Sequence, residues 1–180
     1  MVDLSHSGEQ TCLEATLASE QPISINHTGC RALTDLPRNK TDAELRQVAE
    51  RGGFVGIYFM PFLNPTGHAT AEDVVAHLTH AVNICGEDQV GIGTDGSVTQ
   101  IDDLAAYEAV LAKEIAERRA AGISAAGERP DTYPFVADLR GPDQFRKLQG
   151  LLAAKGWSTA RIEKIMGLNF LRYAETIWGA

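Results

Sequence analysis

Four short apolar runs, Val2–Ser5, Ile23–Asn26, Phe54–Phe59 and Val90–Gly93, are separated by longer segments with helical periodicity. Those segments predict helices over about Glu9–Glu20, Asp42–Arg51, Ala71–Ile84 and Leu104–Ala121. Ser7 and Gln10 stand in capping-box spacing ahead of the first helix, as do Thr41 and Glu44 ahead of the second. Gly52-Gly53 and Gly86 mark the ends of the second and third. Residues Gly122 to Tyr133 hold two glycines and one proline and are expected to form a loop. Helices over about Pro142–Lys155 and Ser158–Trp178 follow. In the second, Ile162, Ile165, Met166, Phe170, Leu171, Ala174 and Ile177 are expected to share one face.

Strand and helix in strict alternation predict an α/β fold of parallel βα units, here four units and terminal helices in a single domain over residues 1–180. Four units are half of a (β/α)8 TIM-type barrel, which takes about 200 residues at the least. The first run begins at residue 2 with no lead-in, so the chain is expected to be cut and to form half of such a barrel. Its terminal strands and an inner face built from Ile23, Ile25, Val55, Ile57, Val90 and Ile92 are then expected to seek partners. Self-association, or pairing with the missing half, is the expected outcome.

Composition narrows the function classes. With 44% hydrophobic residues in 180, a real core is available without metal or disulfide staples. A net charge of −8 and no Lys/Arg cluster argue against nucleic acid as a partner. Cys12, Cys30 and Cys85 are too widely spaced for a metal knuckle and read as buried thiols. No apolar run approaches the roughly 20 residues of a membrane span, and the first residues lack a signal-peptide pattern. Where the protein resides is not legible, because an export signal on a longer form would lie outside this sequence.

Chemistry in parallel α/β folds gathers at the carboxyl ends of strands. The first run finishes in Ser5-His6, the second in Asn26-His27 and the fourth in Thr94-Asp95, with Arg38 in the loop after the second. Neighbouring strands would start the two imidazoles about 5 Å apart, close enough to share one metal ion. The competing reading is that each histidine merely hydrogen-bonds a loop carbonyl. Gly91-Ile-Gly93-Thr-Asp-Gly96 matches the dinucleotide fingerprint. No helix starts within it, however, and Asp95 would face the pyrophosphate, so no nucleotide site is expected. His77 and His80, three apart on one helix, are expected to be solvated or partly packed without a metal. Asn26-His-Thr28 and Asn39-Lys-Thr41 match the glycosylation acceptor by chance, because both fall where site residues are expected.

Val2-Asp-Leu-Ser-His6, Asn26-His-Thr28 with Leu36-Pro-Arg-Asn39, Gly91-Ile-Gly-Thr-Asp95 and Gly167-Leu-Asn-Phe-Leu-Arg172 together resemble the carboxyl-terminal part of the membrane (renal) dipeptidase family, the M19 metallopeptidases. The resemblance implies a (β/α)8 barrel with a two-zinc site that hydrolyses dipeptides. It puts His6 and His27 on the second zinc, Arg38 on the substrate carboxylate, and Asp95 as the catalytic acidic residue beside the scissile bond. The ligands of the first zinc, a His-x-Asp pair and a bridging glutamate, belong to the family's first half and have no counterpart here. Two departures stand out. Asp95-Gly-Ser-Val replaces the Asp-Phe-Asp-Gly of many members, and Gly122 to Asp138 is longer than the usual connection. Two other readings compete: a related metal-dependent amide hydrolase with another substrate, and a catalytically silent truncated chain that associates with another polypeptide.

Overall fold

The structure, a computed structural model, describes residues 1–179. Three parallel strands, β1 (Ser24–Thr28), β2 (Phe54–Ile57) and β3 (Val90–Ile92), form a sheet in the order β1-β2-β3. Helices α1 (Glu9–Ala18), α2 (Asp42–Glu50), α3 (Ala71–Cys85) and α4 (Leu104–Ala120) intervene or follow, and α5 (Gln144–Ala154), α6 (Thr159–Glu163) and α7 (Asn169–Trp178) complete the chain. This is the α/β architecture expected, with three strands instead of four. The run at residues 2–5 makes only an isolated parallel bridge, Asp3 to Ser24. Leu4 N–H donates to Ser24 O and Ser24 N–H to Val2 O. The ladder stops there because the Asp3 carboxylate takes the Ser5 amide and turns the chain.

Strand alternation sorts the sheet into two faces. Ile25, Val55, Ile57 and Val90 lie on one and are buried in a cluster with Leu45 and Val48 of α2 and Val74 and Leu78 of α3. The branched residues expected to face a barrel interior therefore face the helices. The opposite face carries Phe54, Gly56 and Gly91, with α7 packing Phe170 and Tyr173 against Phe54. Bare glycine is required here because β1 bulges between Ile25 and Thr28 and throws the Asn26 carbonyl across the sheet. A Cβ on Gly56 would sit 2.1 Å from that oxygen and one on Gly93 only 1.7 Å. Gly93 thus serves close backbone packing, while Gly91 leaves room for the Phe54 ring, 2.7 Å from where its Cβ would be. Gly93→Ala is expected to cost about 1–3 kcal/mol by overpacking against backbone and to displace His27, the residue after Asn26. Thermal unfolding with a zinc titration checks this, and an unchanged midpoint would refute it.

Local signals fared unevenly at the helix ends. Thr41 and Glu44 form the expected capping box. Ser7 and Gln10 do not, since α1 is capped at Gly8 while Ser7 Oγ bonds Leu4 O and Gln10 reaches Glu14. The last predicted helix is broken by a π-helical turn, Lys164–Leu168. Past it the buried positions are Asn169, Tyr173 and Ala174, while Phe170 and Leu171 are exposed. Asn169 Nδ2 donates to Glu87 O and Val90 O, both at 2.7 Å. Arg161 and Lys164 pair with Glu87, and Arg172 bonds Asp88 O, so the Gly167–Arg172 motif clamps the entrance of β3.

Candidate active site

At the carboxyl ends of the strands four side chains converge. His6 occupies the turn after the Asp3 bridge, His27 lies in β1, Arg38 in the β1–α2 loop, and Asp95 follows β3. The two histidine Nε2 atoms are 2.9 Å apart. Arg38 Nη1 is 3.3 Å from His6 Nδ1, and Nη2 donates to Asp95 Oδ2 at 3.2 Å. Asp95 Oδ2 is also 3.8 Å from His27 Nε2. A guanidinium only donates, so His6 Nδ1 is the acceptor toward Arg38, and its Nε2 faces that of His27.

Each group is held from behind. The Asp3 carboxylate accepts from the amides of Ser5 and Asn26 and from the Ser5 hydroxyl, and Ser5 Oγ accepts from the His27 amide at 3.0 Å. Burial tends to raise the Asp3 pKa, but the hydrogen bonds from Asn26 and Ser5 outweigh it and the net shift is downward. Burial holds the His27 imidazole below the usual histidine range, with Asp95 opposing and His6 reinforcing. Neutral imidazole is the form that binds a metal. Asp95 itself has φ +54°, a left-handed conformation that aspartate tolerates better than most residues. That backbone turns the carboxylate toward Arg38.

The Arg38 loop rests on buried anchors. Asn39 Nδ2 donates to Thr34 O at 2.7 Å and Phe62 O at 3.0 Å, and Tyr58 O–H donates to Asn39 Oδ1. The amide nitrogen of this glycosylation match is therefore committed inside the fold. Phe62 supports the Arg38 guanidinium from 5.2 Å. Next in sequence, Lys40 reaches back to Ser7 O at 2.6 Å and pairs with Glu44 at 3.0 Å, tying the His6 turn to the Arg38 loop. Sequence reasoning missed Asp3, Ser5, Asn39, Lys40 and Tyr58. The available signals were the i,i+4 spacing of Lys40 and Glu44 and the place of Asp3, Ser5 and Asn39 in the stretches that carry the resemblance.

His6, His27 and Asp95 each offer a ligand atom, all within 4.8 Å of one another. Two imidazole nitrogens beside a carboxylate form a zinc-type donor set, and bonds of about 2.0–2.2 Å would bring such atoms comparably close. The residues fit the metal. His77 departs from the expectation of a solvated or partly packed pair: it is fully buried, with Nδ1 accepting from Cys30 N–H and Nε2 donating to Leu63 O, both 2.9 Å. His80 pairs with Asp42 at 2.7 Å. Cys12 and Cys30 are buried free thiols, and Cys85 is partly buried.

The profile of the membrane dipeptidases, peptidase family M19, matches residues 1–126. The chain belongs to this family. Dipeptidase ataJ of Aspergillus terreus is 32% identical over 98% of this chain and 36% of its own length. An uncharacterised protein from the pqqA 5' region of Klebsiella pneumoniae is 32% identical over 98% of this chain and 55% of itself. Among solved structures, an amidohydrolase from Pseudomonas aeruginosa superposes with a TM-score of 0.79 at 31% identity, covering 100% of this chain and 53% of that one. A metallopeptidase from Rhodobacter sphaeroides, solved with a phosphinate mimic of the dipeptide L-Ala-D-Ala, gives 0.74 at 25% identity over 99% and 42%. This M19 chain thus spans about a third to a half of the lengths of these relatives. Among the described residues, no helix is long and apolar enough to cross a membrane.

Proposed function

We propose that this M19 chain supplies the second-zinc portion of a dipeptidase centre, as the latter part of a (β/α)8 barrel. The observation that carries the reading is the convergence of two imidazoles, a carboxylate and a guanidinium at one mouth. His6 and His27 would hold zinc, which when bound lowers the pKa of a water and polarises the peptide carbonyl. Arg38 takes the substrate's carboxylate, for which its planar fork is suited. The 3.2 Å contact to Asp95 keeps that fork aimed into the mouth. Asp95 accepts the proton of the attacking water and passes it to the leaving amine. Asp3 and Ser5 fix the backbone on which both histidines sit.

The ligands of a first zinc would come from residues outside this sequence. The share of its relatives that the chain spans supports that arrangement. A related amide hydrolase with another substrate is the second reading, favoured by the amidohydrolase likeness. Arg38 in the mouth argues for a substrate with a free carboxylate instead.

Zinc binding, followed by titration, is expected to disappear in His27→Ala and persist in Asp95→Asn. In the assembled enzyme Asp95→Asn should lower kcat by about 10² or more while zinc content is kept. Zinc loss in Asp95→Asn would make the carboxylate a ligand, and unchanged dipeptide turnover would remove it from the chemistry.

A further inference from the structure

Beside Asp95 opens a cavity of about 890 Å³, walled by the segment after β3 and by residues 134–147. The four site residues leave most of it unused. Its wall contains Asp138 and Asp143 as well as Asp95, and each carboxylate already has a partner. Asp138 accepts from the Ala71 amide at 2.9 Å, Asp143 pairs with Arg146 at 3.3 Å, and Asp95 with Arg38 at 3.2 Å. The two cations of the wall, Arg140 and Lys147, form no ion pair among the described residues. Arg140 lies over the Phe135 ring at 5.4 Å, and its Nη1 is buried without a hydrogen-bond acceptor. Gln144, only 3% exposed, leaves its Nε2 donor equally unpartnered.

A buried donor without an acceptor costs free energy and needs an explanation. Here two such donors and an unpaired ammonium belong to one wall. The wall is also the start of α5, whose first turn contributes partial positive charge of the same sign. The three carboxylates of the wall have partners while the Arg140 Nη1 and Gln144 Nε2 donors and the Lys147 ammonium have none, and unpartnered donors call for a ligand group that accepts. Tyr107 and Phe135 add aromatic surface for a short aliphatic stem.

We propose that this cavity receives an acidic side chain, so that the preferred dipeptides contain an aspartyl or glutamyl residue. The inference rests on the dipeptidase reading and extends it. Arg38 is committed there to the terminal carboxylate, and a second carboxylate needs its own cation, which Arg140 and Lys147 supply.

Isothermal titration of the full chain in the presence of zinc, with L-Ala-L-Glu against L-Ala-L-Gln and L-Glu-L-Ala against L-Gln-L-Ala, tests it. Each pair differs in charge at nearly constant shape. In one pair the glutamyl dipeptide is expected to bind about ten- to hundredfold more tightly, the range of a charged hydrogen bond. Arg140→Gln should bring that ratio toward one. Lys147→Gln, at an exposed position, should reduce it without risk to folding. Equal affinities within both pairs, or a ratio that survives both substitutions, would overturn the proposal. Hydrolysis is read separately. In the assembled enzyme, with the first-zinc ligands supplied, turnover without charge discrimination sinks the cavity assignment alone, whereas discrimination without turnover supports it and sinks the dipeptidase reading.

Discussion

Lys40→Met is expected to lower the free energy of unfolding by about 3–5 kcal/mol, the usual cost of breaking a buried ion pair from one side. The side chains of Lys40 and Glu44 are 2% and 1% exposed, with Nζ 3.0 Å from Oε1. Methionine fills the volume of the lysine stem but carries no charge, so Glu44 is left as an uncompensated carboxylate in the core. Ser7 O loses its 2.6 Å donor in the same step. The other Glu44 oxygen is occupied by the Thr41 amide at 2.8 Å, so the carboxylate cannot swing out to water without uncapping α2. Lys40→Met combined with Glu44→Gln should recover part of the loss, because the buried charge is then gone. Urea denaturation of the two variants measures both effects, and a single-variant loss below about 1 kcal/mol would mean that water screens the pair. A functional consequence follows from chain order. Ser7 succeeds His6, so the zinc affinity of the still-folded fraction is expected to fall as well.

That anchor also shows where sequence reading stops. Hydrophobic periodicity located α2, α3 and α4 to within about two residues, and α2 and α3 each bury one face against the sheet and each other, whereas α4 buries only Leu111 and Ile115. It overstated the first strand. Asp3 and Ser5 satisfy backbone amides with side-chain oxygens there, which residue type alone does not announce. It also joined α6 and α7 across a π-helical turn, since Ile162, Ile165, Phe170 and Leu171 keep helical spacing whether or not the backbone does. Only the polar clamp of Asn169 to Glu87 and Val90 reveals which face turns inward. His6, His27 and Asp95 were legible because polar residues directly after apolar runs lie at strand ends by construction, and Arg38 because it stands in the Leu36–Asn39 stretch that carries the resemblance. Asn39 and Tyr58 were not, because their bond joins positions 19 residues apart and exists only once β2 lies beside the loop. The cavity at Arg140 was hidden for the same reason. Its walls come from a loop and a helix start that carry no periodic signal.

Acid should destabilise the fold through His77, away from the proposed zinc ligands. Burial drives its pKa down to about 4, with the Leu63 carbonyl and Asp73 opposing and His80 reinforcing. Cys30 and Leu63 hold the ring from opposite sides: Nδ1 must accept and Nε2 must donate, which fixes the neutral tautomer. An imidazolium carries a proton on both nitrogens and cannot accept from the Cys30 amide. The unfolded chain binds the proton near pH 6.5 and the folded chain only near 4. Between those values the unfolded state holds more protons, so stability rises with pH. The contribution is complete above about 6.5, declines as the pH falls, and is spent below about 4. Two and a half pH units at 1.36 kcal/mol each give a loss of about 3 kcal/mol. Carboxylates titrate in part of this window, so the wild type must be compared with His77→Gln, which retains hydrogen-bonding capacity and does not titrate. His77→Gln should be less stable at pH 7, where the fitted imidazole is best, and should lose about 3 kcal/mol less than the wild type on going to pH 4. Parallel stability curves for the two proteins, from urea unfolding across that range, would show that His77 is solvated when the fold opens locally and that the Cys30–Leu63 clip is not what acid breaks.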